Sequence, residues 1–198
     1  VLLNIDFKKT FDAFGALGIE HAHGLNDRPE VLQLFIDLEC GMVEREEFLE
    51  KFRGLVNMPR VTDEQIIAAF NALLLDYPPE RIQLVQELRK KYRVFLLSNT
   101  NAIHAEYYNG LLHKEFGILN LDTLMEKAFY SHKLGCRKPN EEIYLKALGL
   151  AGIIAEESVF IDDNAENVRV AERLGIRGVQ VTEEYTVMDA LDPGSSPG

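Results

Sequence analysis

Two adjacent carboxylates follow a short apolar run in the segment SVFIDDNAENV, residues 158–168. When both are ionised, Asp162 and Asp163 repel each other, and burial makes the ionisation of each more difficult. A positive group is therefore expected beside them, and carboxylate oxygens with water are ligands that suit Mg²⁺. Asn167 follows Asp163 by four residues and is expected on roughly the same helix face. The alternative is that the two acids cap that helix.

A second polar cluster, Ser98-Asn99-Thr100-Asn101, follows the apolar run RVFLL. A hydroxyl and amides at a strand-to-helix junction suit an anion, because the free N–H groups at the start of a helix face it. Helix capping by the same side chains is the alternative.

A lysine, Lys138, stands in the segment GCRKPNEEIY. Pro139 is expected in the first turn of the following helix, where the helix dipole also favours Glu141 and Glu142. Lys138 then lies at the end of a loop and is kept extended by the proline after it. There its ammonium group can bridge a phosphate and a carboxylate, and a solvated surface lysine is the alternative.

Four β-rich runs alternate with helical patterns after Tyr92, and they are RVFLLSN, KAFYS, SVFID and RGVQVT. Strands that alternate with helices predict a parallel sheet with right-handed crossovers. In such sheets ligands bind beyond the carboxyl ends of the strands, which is where the polar clusters occur. We therefore predict an α/β fold whose sheet brings the clusters into one site.

The N-terminal part of the chain has helical spacing and no convincing strand. A first helix is expected from about Asp6 to Leu17, and four longer helical patterns follow it up to Lys91. Thr62 or Asp63 is the predicted N-cap of the third of these patterns, and Pro79 is expected in the first turn of the fourth. The sequence thus predicts a helical insert followed by an α/β half. These longer patterns are RPEVLQLFIDLEC, MVEREEFLEKFRGLV, VTDEQIIAAFNALLLDY and PERIQLVQELRKK.

Composition restricts the partners. With 46% hydrophobic residues, the 198-residue chain can bury a sizeable core. Its formal net charge of −11 argues against nucleic acid and anionic membrane as main partners, since both need a basic surface. No apolar run reaches the ~18 residues of a membrane span. Two cysteines in unrelated contexts favour the reducing cytoplasm. The oligomeric state cannot be read from the sequence, and a monomer is compatible with this size.

The segments LLSNTN, GCRKPNEEIY and VFIDDNAENVRVAERLGI resemble, in order and spacing, the second, third and fourth motifs of the haloacid dehalogenase-like (HAD) hydrolase superfamily. Within it, CGMVEREEF is similar to bacterial sugar-phosphate phosphatases of the alpha-D-glucose-1-phosphate phosphatase type. The resemblance implies a Rossmann-like three-layer parallel sheet core formed by residues 1–10 and 80–190. It also implies an inserted helical cap at residues 11–79. The segment DPGSSPG predicts a loose tail at residues 191–198.

The resemblance also implies roles for the second and third motifs. Ser98 would donate a hydrogen bond to the oxygens of the transferred phosphoryl group, with Asn99 beside it. Lys138 would neutralise the phosphoryl group and the nucleophilic carboxylate. These roles stabilise the charge-rich transition state of phosphoryl transfer.

For the fourth motif the resemblance implies a Mg²⁺ site. Asp163 would be the main metal ligand, Asp162 would be a neighbouring ligand or a second acid behind it, and Asn167 would support both. Mg²⁺ and Lys138 would together offset the repulsion between the two aspartates.

The first motif of the family is a strand that ends in a nucleophilic aspartate, which the resemblance places four residues upstream of Val1. We expect such residues to exist, because the loss of a central strand removes ladder hydrogen bonds from both of its neighbours. A rival register makes Asp6 the nucleophile, but it puts Asn4 inside a central strand and Lys8 where the family has a small residue or Asp. We favour Asp6 as the N-cap of the first cap helix.

The function that the resemblance implies is a Mg²⁺-dependent phosphatase. It would hydrolyse small phosphomonoesters, with sugar phosphates expected, through an aspartyl-phosphate. One alternative is a 2-haloacid dehalogenase-type hydrolase, which needs no metal and lacks the paired acids. The other is a catalytically inactive phosphate-binding domain, which only the absent nucleophile supports.

Overall fold

Helices fill the first part of the chain, and strands alternate with helices after residue 94. This computed structural model describes residues 1–191, so the predicted tail lies, apart from Leu191, outside the described residues. Within the described part, no helix is both long and apolar enough to cross a membrane. The elements in chain order are α1 (Phe7–Ala16), α2 (Pro29–Glu39), α3 (Arg45–Leu55), α4 (Asp63–Asn71), α5 (Pro79–Leu88), β1 (Phe95–Ser98), α6 (Ala102–Phe116), α7 (Leu121–Leu124), β2 (Lys127–Tyr130), α8 (Ser131–Leu134), α9 (Glu141–Ala151), β3 (Val159–Asp162), α10 (Ala165–Arg173), β4 (Arg177–Gln180) and α11 (Val187–Ala190).

Local capping explains where three of the helices begin. The Asp6 carboxylate accepts a hydrogen bond from the Lys8 N–H at 2.9 Å and caps α1, as predicted. Thr62 and Gln65 form a reciprocal capping box at the start of α4, in which each side chain binds the backbone N–H of the other. Pro79 opens α5, where its missing N–H has no helical partner to lose.

Phenylalanine rings fill the core of the helical part. The ring centroids of Phe14 and Phe52 lie 5.0 Å apart, and those of Phe48 and Phe70 lie 5.2 Å apart. Aromatic pairs at such distances add about 0.5–1.5 kcal/mol each beyond the burial of their area. Ile103 of α6 belongs to the same cluster, so the helical part packs directly on the α/β part.

Two antiparallel segments connect the helical part with the α/β part. Ile5 forms an isolated bridge with Leu74, and the Asn4 N–H donates to the Asp76 carbonyl at 2.9 Å. The two connections therefore lie side by side. The division into a core and a cap of residues 11–79 stays a prediction.

The four predicted strands are present, and they pair in parallel, which confirms the α/β class. β1 pairs with β2, with Ser98 opposite Tyr130, and β3 pairs with β4. The sequence predicts one sheet, whereas the described residues form two pairs with no ladder between β1 and β3. The pairs meet through side chains instead, because Leu97 of β1 and Phe160 of β3 pack in one apolar cluster.

Candidate active site

A buried ion pair joins two of the predicted site residues. Nζ of Lys138 lies 2.6 Å from Oδ2 of Asp162, and the two residues are 8% and 5% exposed. The other carboxylate oxygen of Asp162 accepts from the Asn167 amide at 3.0 Å and from the Asn164 N–H at 2.9 Å. Burying a charge is costly unless it is paired and hydrogen-bonded, and here both carboxylate oxygens have partners.

The loop that carries Lys138 is fixed to the end of β1 by Asn99. The Lys138 N–H donates to Oδ1 of Asn99 at 2.8 Å, and Nδ2 of Asn99 donates to the Lys138 carbonyl at 2.8 Å. One amide thus satisfies both backbone groups of the lysine. This contact brings the second and third polar clusters together and leaves the lysine side chain directed at Asp162.

Ser98 is the last residue of β1 and keeps a weakly engaged hydroxyl. Its Oγ makes one hydrogen bond among the described residues, a long 3.4 Å contact to the Asn99 carbonyl. A hydroxyl in such a contact can turn toward another acceptor at little cost. Half-buried at the carboxyl end of the strand, it is suited to donate to an anion.

Asp163 differs from its neighbour in exposure and in contacts. Its side chain is 68% exposed, and its carboxylate contacts, among the described residues, the amino nitrogen of Val1 at 3.8 Å. The structure therefore separates the acid pair into a buried carboxylate neutralised by Lys138 and an open one.

The structure excludes the capping alternative for the acid pair and corrects the predicted place of Pro139. The acid pair does not cap α10, because Asn164 does so by accepting from the N–H groups of Glu166 and Asn167 at 2.8 and 3.2 Å. Pro139 does not lie in the first turn of α9, because Asn140 caps that helix and it begins only at Glu141.

Asn167, predicted to support both acids, contacts one of them among the described residues. Its amide binds Asp162 and not Asp163, which was expected to share its helix face. The Asx turn in which the Asn164 N–H binds Asp162 reverses the chain between the aspartates and α10. The turn aims Asp162 back toward the helix and leaves Asp163 pointing away.

Comparison with known proteins agrees with this geometry. Residues 41–175 match the family model of the haloacid dehalogenase-like hydrolases, described as a hydrolase family.

The chain is a haloacid dehalogenase-like hydrolase.

The resemblance carried by the three motifs is thereby confirmed, and with it the class of enzyme. The roles of the individual residues stay predictions.

One curated relative and two solved structures each cover more than nine-tenths of this HAD hydrolase. The D-ribitol-5-phosphate phosphatase of Bacteroides thetaiotaomicron is 28% identical over 180 residues, which span 91% of this chain and 86% of the relative. A solved HAD-family enzyme from the same organism, in complex with magnesium and inorganic phosphate, has a TM-score of 0.85 at 30% identity. That match covers 96% of this chain and 94% of the other. A HAD-like family hydrolase of Porphyromonas gingivalis has a TM-score of 0.82 at 31% identity, covering 91% and 85% of the two chains.

The donor set of the HAD hydrolase fits Mg²⁺ in the way that phosphate-processing enzymes use it. The described residues contain no group of three or more His, Cys, Asp or Glu side chains able to enclose a metal. Mg²⁺ is commonly held by one or two carboxylates together with waters and substrate phosphate, and it needs no all-protein cage. The exposed carboxylate of Asp163 meets that requirement.

Sequence reasoning missed Ser131, which supports the turn after β1. Its Oγ accepts from the Thr100 N–H at 2.9 Å and donates to the Thr100 carbonyl at 2.9 Å. Nδ1 of His132 lies 3.1 Å from the same carbonyl. Nothing in KAFYS indicates this contact, because the two partners are 31 residues apart and meet only through the pairing of β1 with β2.

A half-buried histidine of α6 also contacts the helical part. Nδ1 of His104 lies 2.8 Å from Oδ1 of Asn71, and the imidazole stacks on Phe70 with 4.3 Å between centroids. Because the amide oxygen only accepts, Nδ1 carries the proton. Burial lowers the pKa of His104 to about 4.

Proposed function

We propose that this HAD hydrolase is a Mg²⁺-dependent phosphatase of small phosphomonoesters, with sugar and polyol phosphates as its substrate class. The observation that carries the proposal is the buried Lys138–Asp162 pair beside the exposed Asp163. A fixed cation next to an open carboxylate suits a dianionic phosphoryl group and a divalent metal. The named activity of the ribitol-phosphate relative supports the substrate class.

Four residues of this chain have separate proposed roles in binding the phosphoryl group. The Ser98 hydroxyl donates to a phosphoryl oxygen, and the Lys138 ammonium supplies positive charge that needs no rearrangement during the reaction. Asn99 holds the Lys138 backbone through its two 2.8 Å hydrogen bonds. Asp162 keeps the ammonium in place, because its carboxylate lies 2.6 Å away.

Asp163 is the residue that we assign to hold Mg²⁺. When bound, the ion neutralises phosphoryl oxygen charge as a Lewis acid. The sequence-based assignment also made Asp162 a metal ligand. We now give Asp162 the supporting role, because both of its oxygens already accept hydrogen bonds from Lys138, Asn167 and the Asn164 N–H.

We further propose that the attacking group is an aspartate upstream of Val1, as in the first motif of the family. The family match supports it, and so does the position of Val1, whose amino nitrogen lies 3.8 Å from Asp163. Asp6, the rival, already caps α1 through the Lys8 N–H. The intact mass of the natural protein tests this: a mass well above the 22.5 kDa of the present sequence is expected, and a mass equal to it would contradict the proposal.

The remaining assignments concern partners and location. A small phosphate ester is the proposed partner, and the acidic net charge of −11 does not suit nucleic acid. Cys40 and Cys136 are free and buried, which agrees with the proposed reducing cytoplasm.

Substitution of Asp163 tests the metal assignment. Asp163→Asn should lower phosphate release at least about 10²-fold and shift half-maximal activation to higher Mg²⁺ concentration, because a neutral amide is a poor ligand. Glu166→Gln is the matched control, since it makes the same change at an exposed carboxylate in the first turn of α10. Equal Mg²⁺ activation curves for the two variants would contradict the assignment.

A further inference from the structure

An ion pair between the helical part and the loop that carries Lys138 has no place in the function described so far. Nε of Arg137 lies 3.1 Å from Oε2 of Glu39, the last residue of α2. Both atoms are buried, and neither has a well-aligned hydrogen bond in the described chain. Each charge therefore depends on the other. Burial raises the pKa of Glu39, and Arg137 opposes that shift.

The backbones around this pair are in direct contact. Gly41 follows α2 with a φ of 64°, and a β-carbon added there would lie 2.1 Å from the carbonyl oxygen of His132. No side chain fits at that distance, so the corner after α2 abuts α8 through backbone alone. Cys40 and Cys136, both under 9% exposed, are buried at the same junction. The pair thus spans a closed contact.

Arg137 links this contact to the site because it directly precedes Lys138 in the chain. The side chain of Asn99 holds the Lys138 backbone through two hydrogen bonds. The Glu39 carboxylate fixes the preceding residue. We infer that Glu39 is a positioning residue: it acts through Arg137 to hold the Lys138 ammonium at the phosphoryl site, and it makes that alignment depend on the docking of α2. This inference rests on the proposed phosphatase function.

Removing the Glu39 charge has a specific consequence. Arg137, whose side chain is 34% exposed but whose Nε is buried, would lose the ionic partner of that nitrogen. The loop would then shift to bring the guanidinium to water or to another acceptor, and a shift of about 1 Å at a catalytic group lowers rates by up to about 10²-fold. The ground-state affinity for substrate depends less on that alignment.

A second ion pair supplies the matched control. Arg45 of α3 and Glu106 of α6 also join the helical part to the α/β part, with 2.7 Å between NH1 and Oε2. Their side chains are 38% and 72% exposed, and neither adjoins a proposed site residue. Glu106→Gln therefore makes the same carboxylate-to-amide change at another ion pair that joins the helical part to the α/β part.

The experiment measures kcat and KM for phosphate ester hydrolysis by the full-length protein and five variants. We expect Glu39→Gln and Arg137→Gln each to lower kcat about tenfold with KM changed less than threefold. The double variant should be no worse than either single one, because both remove the same interaction. Arg137→Lys should restore most of the activity, and Glu106→Gln should stay within twofold of the wild type.

Each outcome decides the matter. If the wild type is active and Glu39→Gln has the same kcat as Glu106→Gln, the inference is overturned but the proposed function stands. The inference is also overturned if the effects of the two single variants on kcat are additive in the double variant. A loss of thermal stability without a fall in kcat assigns the pair to folding and also overturns it. If Glu39→Gln does not fold, Arg137→Gln against Arg137→Lys carries the same test. A wild type that releases no phosphate overturns the proposed function and this role with it.

Discussion

The side-chain amide of Asn99 binds both polar groups of the Lys138 backbone, each at 2.8 Å. This contact joins residues 39 positions apart in the chain into one unit at the end of β1. The lysine then reaches Asp162 at the end of β3. Three polar clusters thus become one site through a single amide and a single ion pair.

Asn99→Ala should weaken both stability and catalysis. It leaves the Lys138 N–H and carbonyl unpaired, which costs about 1–3 kcal/mol per buried group, and it frees the lysine. We expect kcat to fall about 10–100-fold. Asn109→Ala is the control, because Asn109 accepts from the Leu121 N–H at 2.9 Å away from the site. Asn109→Ala should lower the free energy of unfolding in urea and retain kcat. If Asn109→Ala loses kcat as much as Asn99→Ala does, the role of Asn99 is contradicted.

Two serines near the site should respond in opposite ways. Ser98→Ala removes a hydroxyl that makes only a 3.4 Å contact, so the free energy of unfolding should change by less than about 0.5 kcal/mol. Phosphate release should fall about 10²-fold, because a donor to the transition state is lost. Ser131→Ala unpairs the Thr100 N–H and should cost about 1–3 kcal/mol of stability. Urea unfolding and a phosphate-release assay measure both variants. A large loss of stability in Ser98→Ala, or a large loss of activity in Ser131→Ala alone, would refute the assignment.

Lys138→Met should unfold at lower denaturant than the wild type. It leaves the buried Asp162 carboxylate without its cation, and breaking such a pair costs about 3–5 kcal/mol. Adding Asp162→Asn should recover much of that stability, since the uncompensated charge is gone, but should recover no activity. Urea denaturation of Lys138→Met, Asp162→Asn and the double variant measures the coupling. Independent, additive effects on stability would contradict a buried ion pair.

Acid should destabilise the protein through His104. Its folded-state pKa of about 4 lies below the ordinary value of 6.5, so the unfolded state binds more protons between these values. Stability is therefore lost as the pH falls from 6.5 to 4, by at most about 3 kcal/mol. His104→Gln should flatten the pH dependence of unfolding in that window. His113→Gln, an exposed change on the same helix, should retain it, and identical curves would disprove the effect.

The order of elements and the site location were predictable from the sequence because both follow from local patterns. Apolar runs that end in polar clusters fixed the strand ends at Ser98 and Asp162, and the family motifs named Lys138. The capping residues Asp6 and Thr62 were predictable for the same reason, since a cap acts within three residues.

Contacts between distant segments were not predictable. Ser131 with Thr100 and Glu39 with Arg137 meet only after the elements pack, and one sequence holds no sign of such pairs. The error at Pro139 has a local cause. Two capping signals compete there, and the Asn140 side chain, which accepts from the Glu142 N–H, set the helix start.

The most direct test of the phosphatase account is phosphate release by the full-length protein from D-ribitol 5-phosphate and glucose 1-phosphate. Release is measured with Mg²⁺, after chelation, and after Mg²⁺ is restored, beside chloride release from 2-chloropropionate. The account predicts phosphate release that chelation abolishes and Mg²⁺ restores, with no chloride. Release that survives chelation, or chloride without phosphate, would contradict it, and tight phosphate binding without turnover would indicate an inactive phosphate-binding domain.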